Sequence, residues 1–219
     1  MFRAVGFDLD DTLAVTRRDR ETLLAEATAR ADVEGVDRKA YLEAHRRHSG
    51  SEGRRPVFEA LVDDGAGALT RAYREIVAEA MEPVAGAEEL LSTLAGRYRL
   101  GLLTDGPERT QRDKLRRLGW TDAFDAVVVT GGIDAPKPHP GGFRALADAL
   151  DVPPAAVAYV GDDPERDVAG AATAGMTPVQ AVYDGGPAPH PLAARTVRRS
   201  GLTTLPGFLE SLADGPDDA

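Results

Sequence analysis

Apolar positions fall along the chain in two rhythms. Five short runs rich in Val and Leu each end in Asp, Thr or Gly: RAVGFDLD (3–10), YRLGLLTDG (98–106), FDAVVVTGG (124–132), AVAYVGDD (156–163) and TPVQAVYDGG (177–186). Continuous apolar runs of this length predict strands buried on both faces, the habit of a parallel sheet. Between the last four runs lie amphipathic stretches of helical length. PERTQRDKLRRLG has Pro107 at its start and Gly119 at its end, and PGGFRALADALDV and PERDVAGAATAG have Pro140 and Pro164 near their starts, with Gly175 as a stop. The alternation predicts an α/β fold with a doubly wound, Rossmann-like parallel sheet. In such sheets ligands bind beyond the carboxyl ends of the strands, where the run-ending Asp and Thr residues fall.

One interval breaks the rhythm. From Ala14 to about Met81 no strand pattern occurs, only helical stretches at roughly 19–31, 37–47, 56–63 and 66–81, with Asp37 placed to cap the second. SGSEG (49–53) and DDGAG (63–67) read as loops, and the acidic tail ADGPDDA as a frayed end. The division that follows is an α/β core of residues 1–13 and 82–219 and an inserted α-helical cap domain of residues 14–81. Because the insert leaves straight after the first aspartate-rich segment, it should sit over the strand ends as a lid.

Composition narrows the function. A hydrophobic content of 42% supports an ordinary buried core, and the absence of cysteine excludes disulfides, thiolate metal sites and a cysteine nucleophile. The net charge of −10 argues against partners bound through a phosphate backbone or an anionic membrane. The start, MFRAVGFDL, lacks the plan of a secretory signal and no apolar run is long enough for a bilayer, so the expected location is cytoplasmic. Only three of the 26 basic residues are lysines: Lys39, Lys114 and Lys137. An acidic, lysine-poor composition is found in proteins of high-salt habitats, and a GC-rich coding bias would also exchange Lys for Arg.

The chemistry-bearing residues lie at the ends of the runs. Asp8 and Asp10 are two apart, and strand alternation would aim both to one side. Carboxylates that close ionise together only beside a cation, and Mg²⁺ suits an all-oxygen site that also takes a phosphate; a capped turn is the alternative for this segment alone. Thr104, Asp105 and Gly106 open a helix, offering a hydroxyl and free N–H groups for an anion, or ordinary capping. Lys137, between prolines in DAPKPHPGGF, would neutralise a phosphoryl oxygen or else be a solvated loop lysine, with His139 placed to cap the next helix. In GDDPERD, Asp163 before Pro164 fits an N-cap, leaving Asp162 as the direct metal ligand and Asp167 one turn on. Each segment alone is weak, but together they put acid, hydroxyl, lysine and acid at four successive strand ends.

In that order, DLDDT (8–12), LLTDG (102–106), Lys137 within KPHP and GDDPERD (161–167) resemble the four motifs of the haloacid dehalogenase superfamily. The resemblance extends over essentially the whole chain, with the helical insert in the position of the family's cap. It implies Asp8 as a nucleophile forming an aspartyl-phosphate and Asp10 as the acid–base. It implies Mg²⁺ held by Asp8, the Asp10 carbonyl and Asp162, with Asp167, and Asp163 in support, acting through water. Thr104 and Lys137 would hold the phosphoryl oxygens. Dehalogenase members lack the second aspartate of the first motif, so Asp10 implies phosphate-ester hydrolysis. Many relatives carry Asn where this chain has Asp105; the expectation is that its backbone N–H meets phosphate while its carboxylate caps the helix.

A lid favours small soluble phosphate monoesters over phosphoproteins. Phosphoglycolate, triose and sugar phosphates and nucleoside monophosphates all remain open. HRRHSGSEGRRP (45–56) concentrates basic residues in an acidic chain, either as a solvated face or as a contact for the substrate's non-reacting end through Arg54 and Arg55. Two rivals share parts of the motif set. A phosphomutase of the β-phosphoglucomutase type would return the phosphoryl group to a sugar. A receiver-type signalling module would accept phosphate on Asp, but it needs neither the helical insert nor GDDPERD.

Overall fold

The computed structural model describes residues 1–48 and 53–213. The SGSEG loop, apart from Gly53, and the acidic tail beyond Ala213 lie outside the described residues. In chain order the elements are β1 (Ala4–Phe7), β2 (Ala14–Thr16), α1 (Arg20–Ala31), α2 (Arg38–His48), α3 (Arg55–Glu59), α4 (Ala66–Ala80), β3 (Met81–Pro83), α5 (Ala87–Ala95), β4 (Arg99–Thr104), α6 (Glu108–Leu118), β5 (Ala126–Val129), α7 (Pro140–Ala149), β6 (Val157–Gly161), α8 (Gly170–Thr173), β7 (Thr177–Val182), β8 (Arg195–Arg198) and α9 (Leu205–Ala213). A π-helical turn, Pro164–Ala169, leads into α8.

Six strands form one parallel sheet in the order β5-β4-β1-β6-β7-β8. The chain starts in the middle, fills one side with β4 and β5, then crosses to β6, β7 and β8. The reversal falls between β1 and β6, so the carboxyl ends of these two strands flank the switch-point crevice where open α/β sheets bind ligands. The expected strands and helices of the core are present. The structure adds α5, α9 and the edge strand β8, whose sequence RTVR buries only Val197 and so carries no apolar run.

Side chains alternate between the two faces of the sheet. On one face Val5, Phe7, Leu100, Leu102, Val160 and Val179 share a cluster with residues of α5, α6 and α9. On the other, Leu103, Val157 and Tyr159 pack with Phe143 and Leu146 of α7 and with Leu150 just past its end. Helix α7 lies so close that a Cβ on Gly101 would come within 2.8 Å of both Leu146 Cδ1 and Leu150 Cδ1. Glycine there sets the distance between helix and sheet.

The interval expected to lack strands contains two short ones at its margins. β2 and β3 pair antiparallel, Ala14 opposite Pro83 and Thr16 opposite Met81. Three-residue strands are too short to leave an alternating signature, and their pairing joins positions far apart in the chain. Between them α1 to α4 carry a separate apolar cluster built on Leu24, Tyr41, Phe58, Leu69, Tyr73 and Ile76. Asp37 caps α2 as expected, accepting from Ala40 N at 2.9 Å. No helix among the described residues is long and apolar enough to cross a membrane.

Leu146 is fully buried and fills the space left by Gly6 and Gly101. Leu146→Ala should therefore cost ~2–5 kcal/mol of stability, read as a lower urea midpoint at unchanged m-value.

Candidate active site

β1 ends at Phe7, and the next residue stays on the sheet: Asp8 N donates to Val160 O at 2.8 Å. This bond points the Asp8 side chain into the crevice between β1 and β6. Lys137 arrives from the loop after β5, and its Nζ lies 2.6 Å from Asp8 Oδ1 and 2.6 Å from Asp167 Oδ1. All three side chains are buried, at 4% exposure for Lys137, 8% for Asp8 and 2% for Asp167. Tyr159 closes the group from β6, its hydroxyl donating to Leu103 O at 3.1 Å and lying 3.5 Å from Lys137 Nζ. Burial pushes the Asp8 carboxyl well up, with the Lys137 charge opposing the shift. For Lys137 burial works downward, and the charges of Asp167 and Asp8 overcome it to hold the ammonium well above its ordinary value.

Asp167 is drawn tightly against β6. A Cβ on Gly161 would lie 2.3 Å from Asp167 Cγ, so only glycine admits the carboxylate here. Its second oxygen accepts from Asp163 N at 3.0 Å. Asp163 itself caps the following turn, accepting from Glu165 N and Arg166 N at 3.0 and 2.9 Å, which spends its side chain on structure.

Asp162 completes a cluster with Asp8 and Asp167, one oxygen of each lying within 4.8 Å of the others. Burial, then the charges of Asp167 and Asp11, push the Asp162 carboxyl up to about 7. Thr12 Oγ1 and Tyr183 OH approach it at 3.4 and 3.3 Å. Three converging carboxylates with a single ammonium among them suit a hard divalent cation bound by oxygen, so the residues fit Mg²⁺.

Asp10 has a different neighbourhood from Asp8. Lys114 Nζ, from α6, lies 2.6 Å from each of its carboxylate oxygens, and Gln111 Nε2 donates to Oδ2 at 3.0 Å. Partial burial acts to raise the Asp10 carboxyl, but the Lys114 charge and these hydrogen bonds hold it below its ordinary value. The same Gln111 nitrogen reaches Thr104 Oγ1 at 2.7 Å and the Asp105 carbonyl. Immediately after Asp10, Asp11 adopts φ 63°, a left-handed turn that Asp tolerates, and Arg199 donates to its carbonyl at 3.0 Å.

Asp105 does not cap α6, which begins after Pro107 with no side-chain cap. Its carboxylate turns instead toward the loop after β5, accepting from Thr130 Oγ1 at 2.7 Å and Lys137 N at 3.1 Å, and it pairs with Arg166. An asparagine would offer one acceptor oxygen where this carboxylate serves three donors. Burial tends to raise the Asp105 carboxyl, but Lys137, the Thr130 and Lys137 N–H contacts and Arg166 together keep it low. His139 behaves as expected, its Nδ1 accepting from Gly141 N at 3.0 Å at the start of α7.

The helical block reaches the rim of the crevice at Gly53, where an added Cβ would come within 2.8 Å of Pro107 Cγ, next to Gly106. Arg54 follows immediately and is half-buried, whereas the exposed Arg55 pairs with Glu59 on its own helix at 2.8 Å. Burial, then the charges of Arg54, Arg20 and Arg166, lower the His45 imidazole to about 4.

Lys114, Gln111, Tyr159, Thr130 and Arg166 stand in the site without having been singled out from sequence. A signal existed for two of them. Positions 111, 114, 115 and 118 form one stripe of α6, and finding Gln and Lys on the stripe that carries Leu115 marks them as buried polar residues. Tyr159 and Thr130 look like ordinary strand residues until the fold brings the first to Lys137 and the second to Asp105.

A model of the family described as haloacid dehalogenase-like hydrolase matches residues 2–175. The chain is 33% identical over 111 residues to the pyrimidine 5'-nucleotidase YjjG of Escherichia coli, covering 50% of this chain and 49% of that protein. It is 31% identical over 195 residues to the glyceraldehyde 3-phosphate phosphatase of Methanopyrus kandleri, covering 82% of this chain and 84% of that protein. The match thus spans about half the length of the first relative and most of the second. Among solved structures, a haloacid dehalogenase-type phosphatase from Thermococcus onnurineus superposes with a TM-score of 0.72 at 26% identity, covering 95% of this chain and 98% of that one. Together with the sheet order, the paired aspartates after β1 and the buried Lys137, these matches show that the chain belongs to the haloacid dehalogenase-like hydrolases.

Proposed function

We propose that the protein is a Mg²⁺-dependent phosphohydrolase that cleaves small phosphate monoesters through an aspartyl-phosphate on Asp8. The observation that carries this reading is the buried Asp8 carboxylate, held 2.6 Å from Lys137 at the switch point and clustered with Asp162 and Asp167. Relatives named as phosphatases or nucleotidases of small metabolites support the substrate class.

In this mechanism an Asp8 oxygen attacks phosphorus, forming the Asp8 O–P bond as the ester P–O bond breaks. Asp10 gives a proton to the departing oxygen, then takes one from the water that attacks the acyl phosphate, and inorganic phosphate leaves. Lys137, the Thr104 hydroxyl and backbone N–H groups at Asp105 and Gly106 hold the phosphoryl oxygens, matching charge that spreads over them in the transition state. The carboxylates of Asp8 and Asp162 and the Asp10 carbonyl would hold Mg²⁺, with Asp167 reaching it through water. The metal's contribution is to neutralise phosphoryl charge and orient the transferred group. Asp167 has a second duty visible in its contacts, which is to position Lys137. Arg54 is the better placed of the two cap arginines to meet the substrate's far end, since Arg55 faces Glu59.

Asp8→Asn should abolish phosphate release from 4-nitrophenyl phosphate in the presence of Mg²⁺, and retained turnover would remove the nucleophile.

The raised Asp162 group yields a pH prediction. Its folded value of about 7 exceeds its ordinary 3.8, so its contribution to stability is full below the ordinary value and is lost as pH rises through 7. Metal-free Asp162→Asn should accordingly melt ~2–4 °C above wild type at pH 8, with the gap closing by pH 4. Added Mg²⁺ should raise the wild-type Tm at pH 8 and leave the Asn variant unmoved, a readout of metal binding independent of turnover.

Arg54→Ala should raise KM severalfold for the best substrate of a metabolite phosphate panel while sparing 4-nitrophenyl phosphate. Equal effects on both would detach Arg54 from specificity.

A further inference from the structure

We infer that Lys114, supported by Gln111, is the positioning residue for Asp10, fixing its carboxylate for proton transfer to the leaving group; this rests on the acid–base role of Asp10 proposed above. Four observations converge on it. Lys114 Nζ is equidistant, at 2.6 Å, from both Asp10 oxygens, a symmetric grip that sets the plane of the carboxylate. Gln111, one helical turn earlier on α6, adds a second donor at 3.0 Å to Oδ2. Lys114 is itself only 9% exposed in its side chain, while Asp10 is 41% exposed, so the buried partner anchors the open one. Finally, the Gln111 nitrogen also touches Thr104 Oγ1 at 2.7 Å, tying the position of Asp10 to that of a hydroxyl proposed to hold the phosphoryl group.

The arrangement divides the first-motif aspartates between two lysines. Lys137 serves Asp8 and Lys114 serves Asp10, and the two ammonium groups come from different loops and helices of the core. Each carboxylate oxygen has more than one acceptor site, so an Asp10 held by Lys114 and Gln111 keeps a lone pair available toward the crevice. The reacting form carries a proton on that crevice-facing lone pair; the proton goes to the bridging ester oxygen as the P–O bond breaks and the Asp8 O–P bond forms, leaving the carboxylate whose charge Lys114 matches. Without the clamp, a carboxylate this exposed at the end of a turn would sample several rotamers, and misplacement by about 1 Å is enough to cost proton transfer.

This predicts a dependence on the leaving group, which a merely structural role would not produce. An alkoxide needs the proton to depart, whereas 4-nitrophenolate leaves without it. Lys114→Met should lower kcat/KM for glycerol 2-phosphate ~10–100-fold and that for 4-nitrophenyl phosphate by less than ~3-fold. The ratio kcat/KM is the quantity to compare, since it ends at the first irreversible step and excludes breakdown of the phospho-enzyme. In an Asp10→Asn background, Lys114→Met should change neither value further, because the residue acts only through Asp10. Equal losses on both esters, or an undiminished loss in the Asp10→Asn background, would overturn the assignment. Unchanged glycerol 2-phosphate turnover in Asp10→Asn alone would instead remove the acid role of Asp10, and the inference with it. Should Lys114→Met lose its cooperative melting transition, Lys114→Arg, which keeps the charge but alters its reach, carries the same comparison of esters.

Discussion

The site depends on one ammonium group. Lys137 Nζ sits between Asp8 and Asp167 at 2.6 Å from each, with all three side chains out of solvent. Burying one carboxylate beside a lysine is costly enough; burying two requires that every remaining polar atom be placed. The structure does this with backbone. Asp8 N is bound to β6, Asp167 takes Asp163 N, and Lys137 N is held by Asp105. Removing any of these would leave a buried charge unmatched, which is why residues from four strand ends behave as a single unit.

Asp105 shows how far that constraint reaches. A carboxylate next to the proposed phosphate site looks like a liability, yet here it is turned away and shared among Thr130, the Lys137 backbone and Arg166. It fastens the loop that delivers Lys137 to the end of β4. Its negative charge is spent on fixing the loop that carries Lys137.

Around this unit the fold supplies position and cover. The switch between β1 and β6 opens the crevice, and Gly161 lets Asp167 press against β6. The helical block, with an apolar cluster of its own, touches the rim beside Gly106 through Gly53 and Pro107. Burial and the charges of Arg54, Arg20 and Arg166, which come from both the block and the core, keep His45 neutral.

Much of this was legible from local pattern. The five apolar runs, the helix caps at Asp37, His139 and Asp163, and the ordered acids, hydroxyl and lysine at the strand ends all follow from periodicity and capping chemistry, which neighbouring residues carry. The edge strand β8 and the β2–β3 pair were not legible, because short or half-exposed strands leave no apolar signature and gain their stability from distant partners. The same division runs through the site. Sequence alone determined which residue types stand at which strand ends, since that depends on a period of two or 3.6. Only the tertiary structure decided that Asp8 pairs with Lys137 and Asp10 with Lys114, and that Asp105 braces a loop instead of a helix. Those pairings join residues 129, 104 and 32 positions apart, and such contacts are selected by burial and charge after the chain has folded back on itself.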